Sequence, residues 1–190
     1  MLYSFCRALL RGIYGLLFRL EAKGIENVPD EGGVLLCSNH VSLFDPPTVG
    51  IKLERKVHFM AKMELFKIPG FGWLIRELGA FPVKRSGVSK ESIKNSLKIL
   101  RDGKVMGIFP EGSRNSDGAG KKGAASFALR SGAAVVPVAI IGNYKLFRKM
   151  KVVYGKPIDI APFQEEPTTA VDLLTDEIMS KIQELKQQSQ

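Results

Sequence analysis

The sequence predicts an α/β fold: a single domain in which a mixed, largely parallel sheet is flanked by helices, preceded by an N-terminal amphipathic helix. Short apolar segments of strand length alternate along the chain with segments of helical periodicity, which is the pattern of a largely parallel sheet. A length of 190 residues suits one domain with a substantial core. No internal repeat and no linker-like segment divides the chain. We therefore expect an amphipathic helix over residues 1–22 and one folded domain over residues 23–190.

Six apolar segments predict strands, because each has strand length and is bounded by turn signals or polar residues. They cover residues 34–38, 57–61, 80–83, 105–109, 135–140 and 152–154. Pro137 removes a backbone donor from the fifth segment, which favours an edge or bulge position for that strand.

Helix signals fill the intervals between these strands. Asp45 and the two prolines after it predict a helix start, with Asp45 as the cap. Ser89 is placed to cap a helix over Lys90–Arg101, and Gly103 follows the end of that helix. Further helical patterns occur around Trp73 and over residues 124–130 and 168–186, whereas residues 118–123 predict a flexible basic loop.

Composition narrows the class of protein before any motif is considered. Lysine and arginine number 28 and aspartate and glutamate 19, and the resulting net charge of +9 favours phospholipid headgroups, phosphorylated metabolites or nucleic acid as partners. A chain that is 45% hydrophobic and 25% charged is neither disordered nor fibrous. Cys6 and Cys37 are too few for a disulfide scaffold, so both are predicted as small core or interface residues in a reducing compartment.

Residues 2–20 predict a helix with a basic polar side and a wide apolar side. The polar side holds Ser4, Arg7, Arg11, Tyr14 and Arg19, and the apolar side holds Leu2, Phe5, Leu9, Ile13, Leu16, Leu17 and Leu20. Phe18 breaks this division. We favour a helix that lies flat in a bilayer interface, and the alternative is a helix whose apolar side docks on the core. Because arginines interrupt the apolar segment and no cleavage site follows it, neither a transmembrane helix nor a secretion signal is expected.

The segment from Asn39 to Asp45 holds the first candidate for a reactive site. His40 follows a predicted strand directly, which is where α/β folds usually place their sites. Asp45, five residues later, can accept a hydrogen bond from the imidazole, fix its tautomer and leave the other ring nitrogen as a general base. The alternative is that Asp45 only caps a helix and that His40 is an ordinary polar loop residue.

Three further segments follow predicted strands or form one. Phe109-Pro110-Glu111-Gly112-Ser113-Arg114 and Phe81-Pro82-Val83-Lys84-Arg85-Ser86 place charged residues just after strand positions. Glu111 and Arg114 have the alternative of pairing with each other, and Lys84 and Arg85 that of a solvated charge pair. The segment from Val135 to Ile140 has the composition of buried core.

Taken together and in this order, the four segments resemble the signature blocks of the glycerolipid acyltransferase family, especially the 1-acyl-sn-glycerol-3-phosphate acyltransferases. The combination of His-x4-Asp with Phe-Pro-Glu-Gly-Ser-Arg carries the resemblance, because neither motif is as specific alone. It extends over about residues 20–160 and includes the local matches Met60-Ala61-Lys62, Glu64-Leu65 and Lys121-Lys122-Gly123. It implies that residues 23–190 form an acyltransferase catalytic domain.

The resemblance also implies the reaction. An acyl chain would pass from acyl-CoA or acyl carrier protein to the free sn-2 hydroxyl of 1-acylglycerol-3-phosphate, giving phosphatidic acid for phospholipid biosynthesis. His40 would deprotonate the acceptor hydroxyl, and Asp45 would orient the imidazole and stabilise the imidazolium. The thioester is already activated, so neither Cys37 nor a serine nucleophile, nor any metal or further cofactor, is expected.

The resemblance places acceptor recognition on the second and third blocks. The residues that it assigns to the acceptor are Lys62, Lys84, Arg85, Glu111, Gly112, Ser113 and Arg114. Arg85 and Arg114 match phosphate-binding positions, and a guanidinium fork suits a phosphomonoester, although the adjacent Lys84 is a candidate for the same contact. Glu111 matches the position that binds acceptor hydroxyls, and Ser113 stands where threonine is frequent.

The motifs leave the acceptor open between lysophosphatidic acid, another lysophospholipid and a lyso-ornithine lipid. A non-catalytic binder of anionic lipids is an alternative of another class, and the basic stretch 145–156 suits it. Residues 118–121 resemble a P-loop only superficially, because Asn115 stands at its first glycine position and Lys122 at its hydroxyl position. The aromatic-rich basic motifs of nucleic-acid binders are missing. We expect lysophosphatidic acid, an acyl-CoA or acyl carrier protein donor and an anionic membrane surface as partners, and no nucleic acid. The expected location is peripheral or monotopic, on the cytoplasmic face of a membrane.

Overall fold

The structure is a computed structural model that describes residues 2–83, 89–110, 121–164 and 168–188. Its helices are α1 (Leu2–Phe18), α2 (Asp45–Gly50), α3 (Phe71–Glu77), α4 (Lys90–Arg101), α5 (Lys121–Ser131), α6 (Ala161–Gln164) and α7 (Ala170–Gln188). Its strands are β1 (Glu21–Lys23), β2 (Val34–Ser38), β3 (Val57–Lys62), β4 (Ala80–Val83), β5 (Val105–Ile108), β6 (Ala134–Ile141) and β7 (Lys151–Tyr154). Short 3-10 turns cover Ile25–Asn27 and Met63–Lys67.

The seven strands form one sheet in the order β1-β7-β6-β2-β5-β3-β4. Strands β2 to β6 run parallel to one another, whereas β7 runs antiparallel to β6 and pairs in parallel with β1. The predicted mixed, largely parallel sheet is therefore confirmed. Because β2, β3, β4, β5 and β6 all point the same way, their carboxyl ends meet at one edge of the sheet, where α/β proteins bind ligands.

Strand β2 shows how the sheet divides the core into two layers. Val34 and Leu36 belong to the buried cluster on one face, and Leu35 and Cys37 belong to the cluster on the other. All four are fully buried, as expected for a central parallel strand covered on both faces. Helices α1 and α2 contribute to the first cluster, and α4, α5 and α7 to the second.

Several local predictions are confirmed and two are wrong. Ser89 caps α4 by accepting a hydrogen bond from the Ser92 N–H at 3.1 Å. Residues 121–123, predicted as loop, form the first turn of α5, while residues 118–120 lie outside the described part of the chain. Strand β6 is interior despite Pro137. The Pro137 carbonyl accepts from the Gly155 N–H, just beyond the last β6–β7 pair. The nitrogen of Pro137 therefore faces the chain that follows β7, where the lack of an N–H removes none of the hydrogen bonds between the two strands.

The N-terminal helix α1 lies against the domain through its polar side. Arg7 donates to the Leu53 carbonyl at 2.7 Å, Arg11 donates to the Lys52 carbonyl at 2.9 Å, and both pair with the Glu54 carboxylate. These carbonyls belong to the loop that follows α2, so the two arginines tie α1 to the loop between α2 and β3. Phe18, which breaks the sequence pattern, is buried because it faces the core.

The outer side of α1 is apolar and exposed. Phe5, Leu9, Ile13 and Leu16 are 67%, 52%, 38% and 70% exposed, respectively. The alternative in which the whole apolar side docks on the core is therefore wrong, although Leu17 and Leu20 at its end do pack inward. The basic side predicted for this helix holds three arginines. Arg7 and Arg11 bind the domain, so that Arg19 alone of the three is exposed to solvent. In the described part of the chain, no helix is long and apolar enough to cross a membrane.

Candidate active site

The predicted contact between His40 and Asp45 is present at the carboxyl end of β2. His40 Nδ1 lies 2.6 Å from Asp45 Oδ2, and the Asp45 side chain is fully buried while that of His40 is 21% exposed. Since a carboxylate accepts, Nδ1 carries the proton and the lone pair of the neutral ring is on Nε2. Nε2 is thus the ring nitrogen that can accept a proton, on a side chain that remains partly exposed.

Asp45 does not cap helix α2, contrary to the sequence prediction. The helix begins after Phe44, and the Asp45 carboxylate turns back to accept from the Val41 N–H at 2.6 Å and the Ser42 N–H at 2.7 Å. Pro46 and Pro47 start the helix without needing backbone partners, because proline lacks an N–H. Asp45 therefore organises the loop that carries His40 rather than the helix that follows it.

Hydrogen bonds keep Asp45 ionised in spite of its burial. Burial raises the pKa of this carboxyl, but donors from His40, Ser42, Tyr144 and Val41 together outweigh that effect and leave the pKa below its usual value. A carboxylate that accepts several hydrogen bonds stays charged well into acid. Asp45 is consequently an anion throughout the neutral range, suited to stabilise a positive imidazolium at 2.6 Å.

Two residues that the sequence did not single out complete the carboxylate's surroundings. The Tyr144 hydroxyl donates to Asp45 Oδ1 at 2.7 Å, and the Thr48 hydroxyl lies 2.7 Å from the Tyr144 oxygen. Thr48 is one turn beyond Asp45 on α2, and Tyr144 follows β6 at the same edge of the sheet as His40. That position after a strand was the available signal for Tyr144, and the i,i+3 spacing was the signal for Thr48.

Asn39 fixes the start of the His40 loop to the neighbouring strand. Its side-chain amide donates to the Ile140 carbonyl at 3.0 Å, and its side-chain oxygen accepts from the Ile140 N–H at 2.8 Å. The side chain thereby continues the pairing of β2 with β6 by one more residue. The predicted core strand at residues 135–140 is confirmed and holds the site in place.

The end of β5 lies directly against the imidazole. Phe109 stacks on His40 with ring centroids 4.3 Å apart and planes 19° apart, and Phe59 stacks behind Phe109 at 5.9 Å. Gly107 makes room for this stack, because a Cβ there would lie 2.1 Å from the Phe59 ring. The chain therefore leaves β5 beside the candidate base, and Pro110 is the last described residue before the Phe-Pro-Glu-Gly-Ser-Arg block continues.

The acceptor residues implied by the sequence fall mostly outside the described part of the chain. These are Lys84, Arg85, Glu111, Gly112, Ser113 and Arg114. Lys62 is described: it is the exposed last residue of β3 and pairs in register with Val83 of β4. By alternation Lys62 shares a face with Met60, which packs on the second core cluster, whereas Phe59 and the His40 stack belong with the first. The described structure thus puts Lys62 at the correct edge but not on the face of His40.

Comparison with known proteins decides the family. The sequence profile of the family described as "Acyltransferase" matches residues 19–141, which include His40, Asp45 and the strands around them. This chain belongs to the acyltransferase family. It is 33% identical over 193 residues to the 1-acyl-sn-glycerol-3-phosphate acyltransferase of Bacillus subtilis, with 97% of each chain covered. It is 30% identical to the chloroplastic 1-acyl-sn-glycerol-3-phosphate acyltransferase LPAT1 of Arabidopsis thaliana, but spans only 49% of that protein's length.

A solved structure supports the same family. The 1-acyl-sn-glycerophosphate (LPA) acyltransferase PlsC of Thermotoga maritima matches with a TM-score of 0.73 and 25% identity, covering 95% of this chain and 75% of that one. Among the described residues, the site has a carboxylate–histidine pair but no accessible thiol. Cys37 is fully buried, burial raises its pKa, and it packs on the face of β2 opposite the His40 stack. Cys37 is therefore not placed to contact a molecule bound at His40.

Proposed function

We propose that this acyltransferase transfers an acyl chain from a thioester donor to the sn-2 hydroxyl of 1-acylglycerol-3-phosphate, giving phosphatidic acid. The observation that carries the proposal is the His40–Asp45 pair, in which a fully buried carboxylate binds Nδ1 and leaves the lone pair of the ring on Nε2 of a partly exposed side chain. The names of the Bacillus subtilis and Thermotoga maritima relatives support the choice of acceptor.

In this mechanism His40 acts first as a base and then as an acid. Nε2 takes the proton of the acceptor hydroxyl while the hydroxyl oxygen attacks the carbonyl carbon of the thioester. Asp45 stabilises the imidazolium that forms. The tetrahedral intermediate then collapses, the carbon–sulfur bond breaks, and the leaving thiolate takes the proton from Nε2. The ester, the free thiol and a neutral His40 result, so no group on the enzyme is consumed.

We propose that the acceptor phosphate binds the arginines of the second and third blocks, with the adjacent cations adding charge. Strands β4 and β5 end at the same edge as β2. Phe109 stacks on His40, and Glu111 is the second residue after Phe109 in the sequence. This supports roles for Glu111 at the acceptor hydroxyls and for Arg114 at its phosphate. Arg85 would serve the same phosphate from the end of β4, because guanidinium forks bind phosphate in bidentate fashion.

We propose that α1 is the membrane-associating element and that residues 23–190 perform the chemistry, peripherally, at the cytoplasmic face. The exposed apolar side of α1 supports insertion into a bilayer interface. Basic residues lie near its carboxyl end: Phe147 donates its N–H to the Leu17 carbonyl at 2.6 Å, with Lys145 and Arg148 exposed on either side. Cations beside an apolar helix face suit anionic headgroups. The two segments nevertheless share one core, because Phe18 and Leu20 are buried in it.

An acceptor panel with two donors tests the proposed function. Purified protein is assayed for thiol release from acyl-CoA and from acyl carrier protein, with lysophosphatidic acid, other lysophospholipids and lyso-ornithine lipid as acceptors. We expect release that depends on lysophosphatidic acid with at least one donor. If thiol is released only with another lysolipid, that lipid is the acceptor and the assignment of lysophosphatidic acid is wrong. If no acceptor gives release, the protein is a lipid binder without acyltransferase activity.

A further inference from the structure

Tyr144 holds the Asp45 carboxylate from the side that His40 does not use. Its hydroxyl lies 2.7 Å from Oδ1, whereas His40 Nδ1 and the N–H groups of Val41 and Ser42 all bind Oδ2. Among the described residues, this phenol is the donor that reaches Oδ1, and the Asp45 side chain has no exposed surface through which water would replace it. The two oxygens are thus held by different parts of the fold, one by the His40 loop and one by the segment after β6.

We infer that Tyr144 is a positioning residue of the His40–Asp45 pair, which fixes the plane of the carboxylate and thereby the direction of His40 Nε2. The inference rests on the proposed function, in which His40 is the base. The terminal torsion of an aspartate is broad, so a carboxylate held through one oxygen rotates readily. A donor on the second oxygen removes that freedom, and a misplacement of about 1 Å at a reacting group can cost roughly 100-fold in rate.

The phenol is itself held with its proton directed to Asp45. The Thr48 hydroxyl lies 2.7 Å from the phenol oxygen, and Phe18 of α1 and Phe44 pack on the ring with centroids 5.4 Å and 5.5 Å away. Burial raises the pKa of Tyr144 far above its usual range, the contact with the Thr48 hydroxyl opposes that rise, and the Asp45 carboxylate raises the pKa further. Tyr144 therefore remains a donor throughout the working pH range.

Tyr154 offers a matched comparison within the same protein. Its hydroxyl donates to the Val49 carbonyl at 2.8 Å, so it also bonds helix α2, but through a backbone acceptor and not through Asp45. Tyr144→Phe and Tyr154→Phe each delete one phenol oxygen that contacts α2. If both tyrosines only support the helix, the two variants should behave alike.

The test combines imidazole NMR with steady-state kinetics on the full chain. The sequence contains two histidines, His40 and His58, so a His58→Ala spectrum assigns both imidazoles. We expect the wild type and Tyr154→Phe to show His40 protonated on Nδ1, with that proton shifted downfield by its short bond, and Tyr144→Phe to move or broaden the signal. In Tyr144→Phe kcat should fall about tenfold or more at an unchanged acceptor KM, since a positioning role acts on the transition state.

Each alternative outcome is decisive. An unchanged His40 signal in Tyr144→Phe overturns the inference whatever the activity of the variant. A moved His40 signal with an unchanged kcat in Tyr144→Phe also overturns it. So does an equal loss of kcat in Tyr144→Phe and Tyr154→Phe. If Tyr144→Phe does not fold, Thr48→Val removes the hydroxyl beside the phenol at nearly constant volume and should move the same signal. An active His40→Ala variant would overturn the proposed role of His40 as the base together with this inference. An inactive His40→Ala beside an unaffected Tyr144→Phe would overturn this inference alone.

Discussion

Replacing the exposed apolar residues of α1 should release the protein from anionic membranes without unfolding it. Deletion of the whole helix is a poor test, because Phe18 is part of the core and packs on Tyr144. The triple variant Phe5→Gln, Leu9→Gln and Leu16→Gln changes only side chains on the outer side, and glutamine retains good helix propensity.

The magnitude follows from the exposed fractions of these three side chains. Complete burial of a leucine or phenylalanine is worth about 1.5–3 kcal/mol. Phe5, Leu9 and Leu16 expose 67%, 52% and 70%, respectively, of their surface to be buried in a bilayer. Together they should contribute roughly 3–6 kcal/mol, which corresponds to a loss of about 100-fold or more in membrane partitioning.

The assay is co-sedimentation with anionic and neutral vesicles, combined with thiol release on vesicle-borne and short-chain soluble acceptors. The control is Leu173→Gln, which removes a leucine that is 48% exposed on α7. We expect the triple variant to lose vesicle binding and activity on vesicle-borne acceptor, with activity on soluble acceptor retained, and the control to match the wild type. A folded triple variant that binds vesicles as tightly as the wild type would refute the assignment of α1 as the anchor and transfer it to residues 145–156.

Two further predictions concern the site. Asp45→Asn should lower kcat by about 100-fold or more, because an amide does not stabilise an imidazolium. The pKa of Asp45 is lower in the folded protein than in the unfolded chain, so its stabilising effect is complete above the unfolded pKa and is lost as pH falls through the folded pKa. In unfolding measured against pH, the wild type should therefore lose an increment of stability below about pH 4 that the variant lacks. Arg85→Ala and Arg114→Ala should each raise the acceptor KM by about tenfold or more, since loss of a charged hydrogen bond costs roughly 1.5–3 kcal/mol. The control Arg130→Ala, on α5, should leave the acceptor KM unchanged. An effect confined to donor saturation would refute the assignment of the two arginines to the acceptor phosphate.

The parts of the site that are local in sequence were predictable. His40 and Asp45 are five residues apart after a strand, so their contact depends on one loop, and Ser89 caps α4 from the position directly before it. The resemblance to known acyltransferases supplied the roles of these residues, which composition and periodicity do not give. Asp45 was misplaced as a helix cap, because both uses of an aspartate at a helix start leave the same sequence pattern.

The parts that depend on strand order were not predictable. Tyr144 reaches Asp45 across 99 residues, because β6 lies beside β2 in the sheet, and periodicity does not determine strand order. The amphipathic pattern of α1 defines two sides but not which one docks. That choice depends on Arg7 and Arg11 meeting free carbonyls after α2, which only the folded chain reveals.

Acyl transfer by His40→Ala, compared with His58→Ala, tests the central claim most directly. His58 is the other histidine of the chain, and its Nδ1 bonds the Val105 carbonyl at 3.1 Å on the same sheet. With lysophosphatidic acid and a saturating thioester donor, a folded His40→Ala variant should lose at least about 100-fold in kcat, because general-base catalysis contributes roughly 10²–10⁴-fold. His58→Ala should retain most of the activity. A loss of less than about tenfold in a folded His40→Ala variant would contradict the assignment of His40 as the general base.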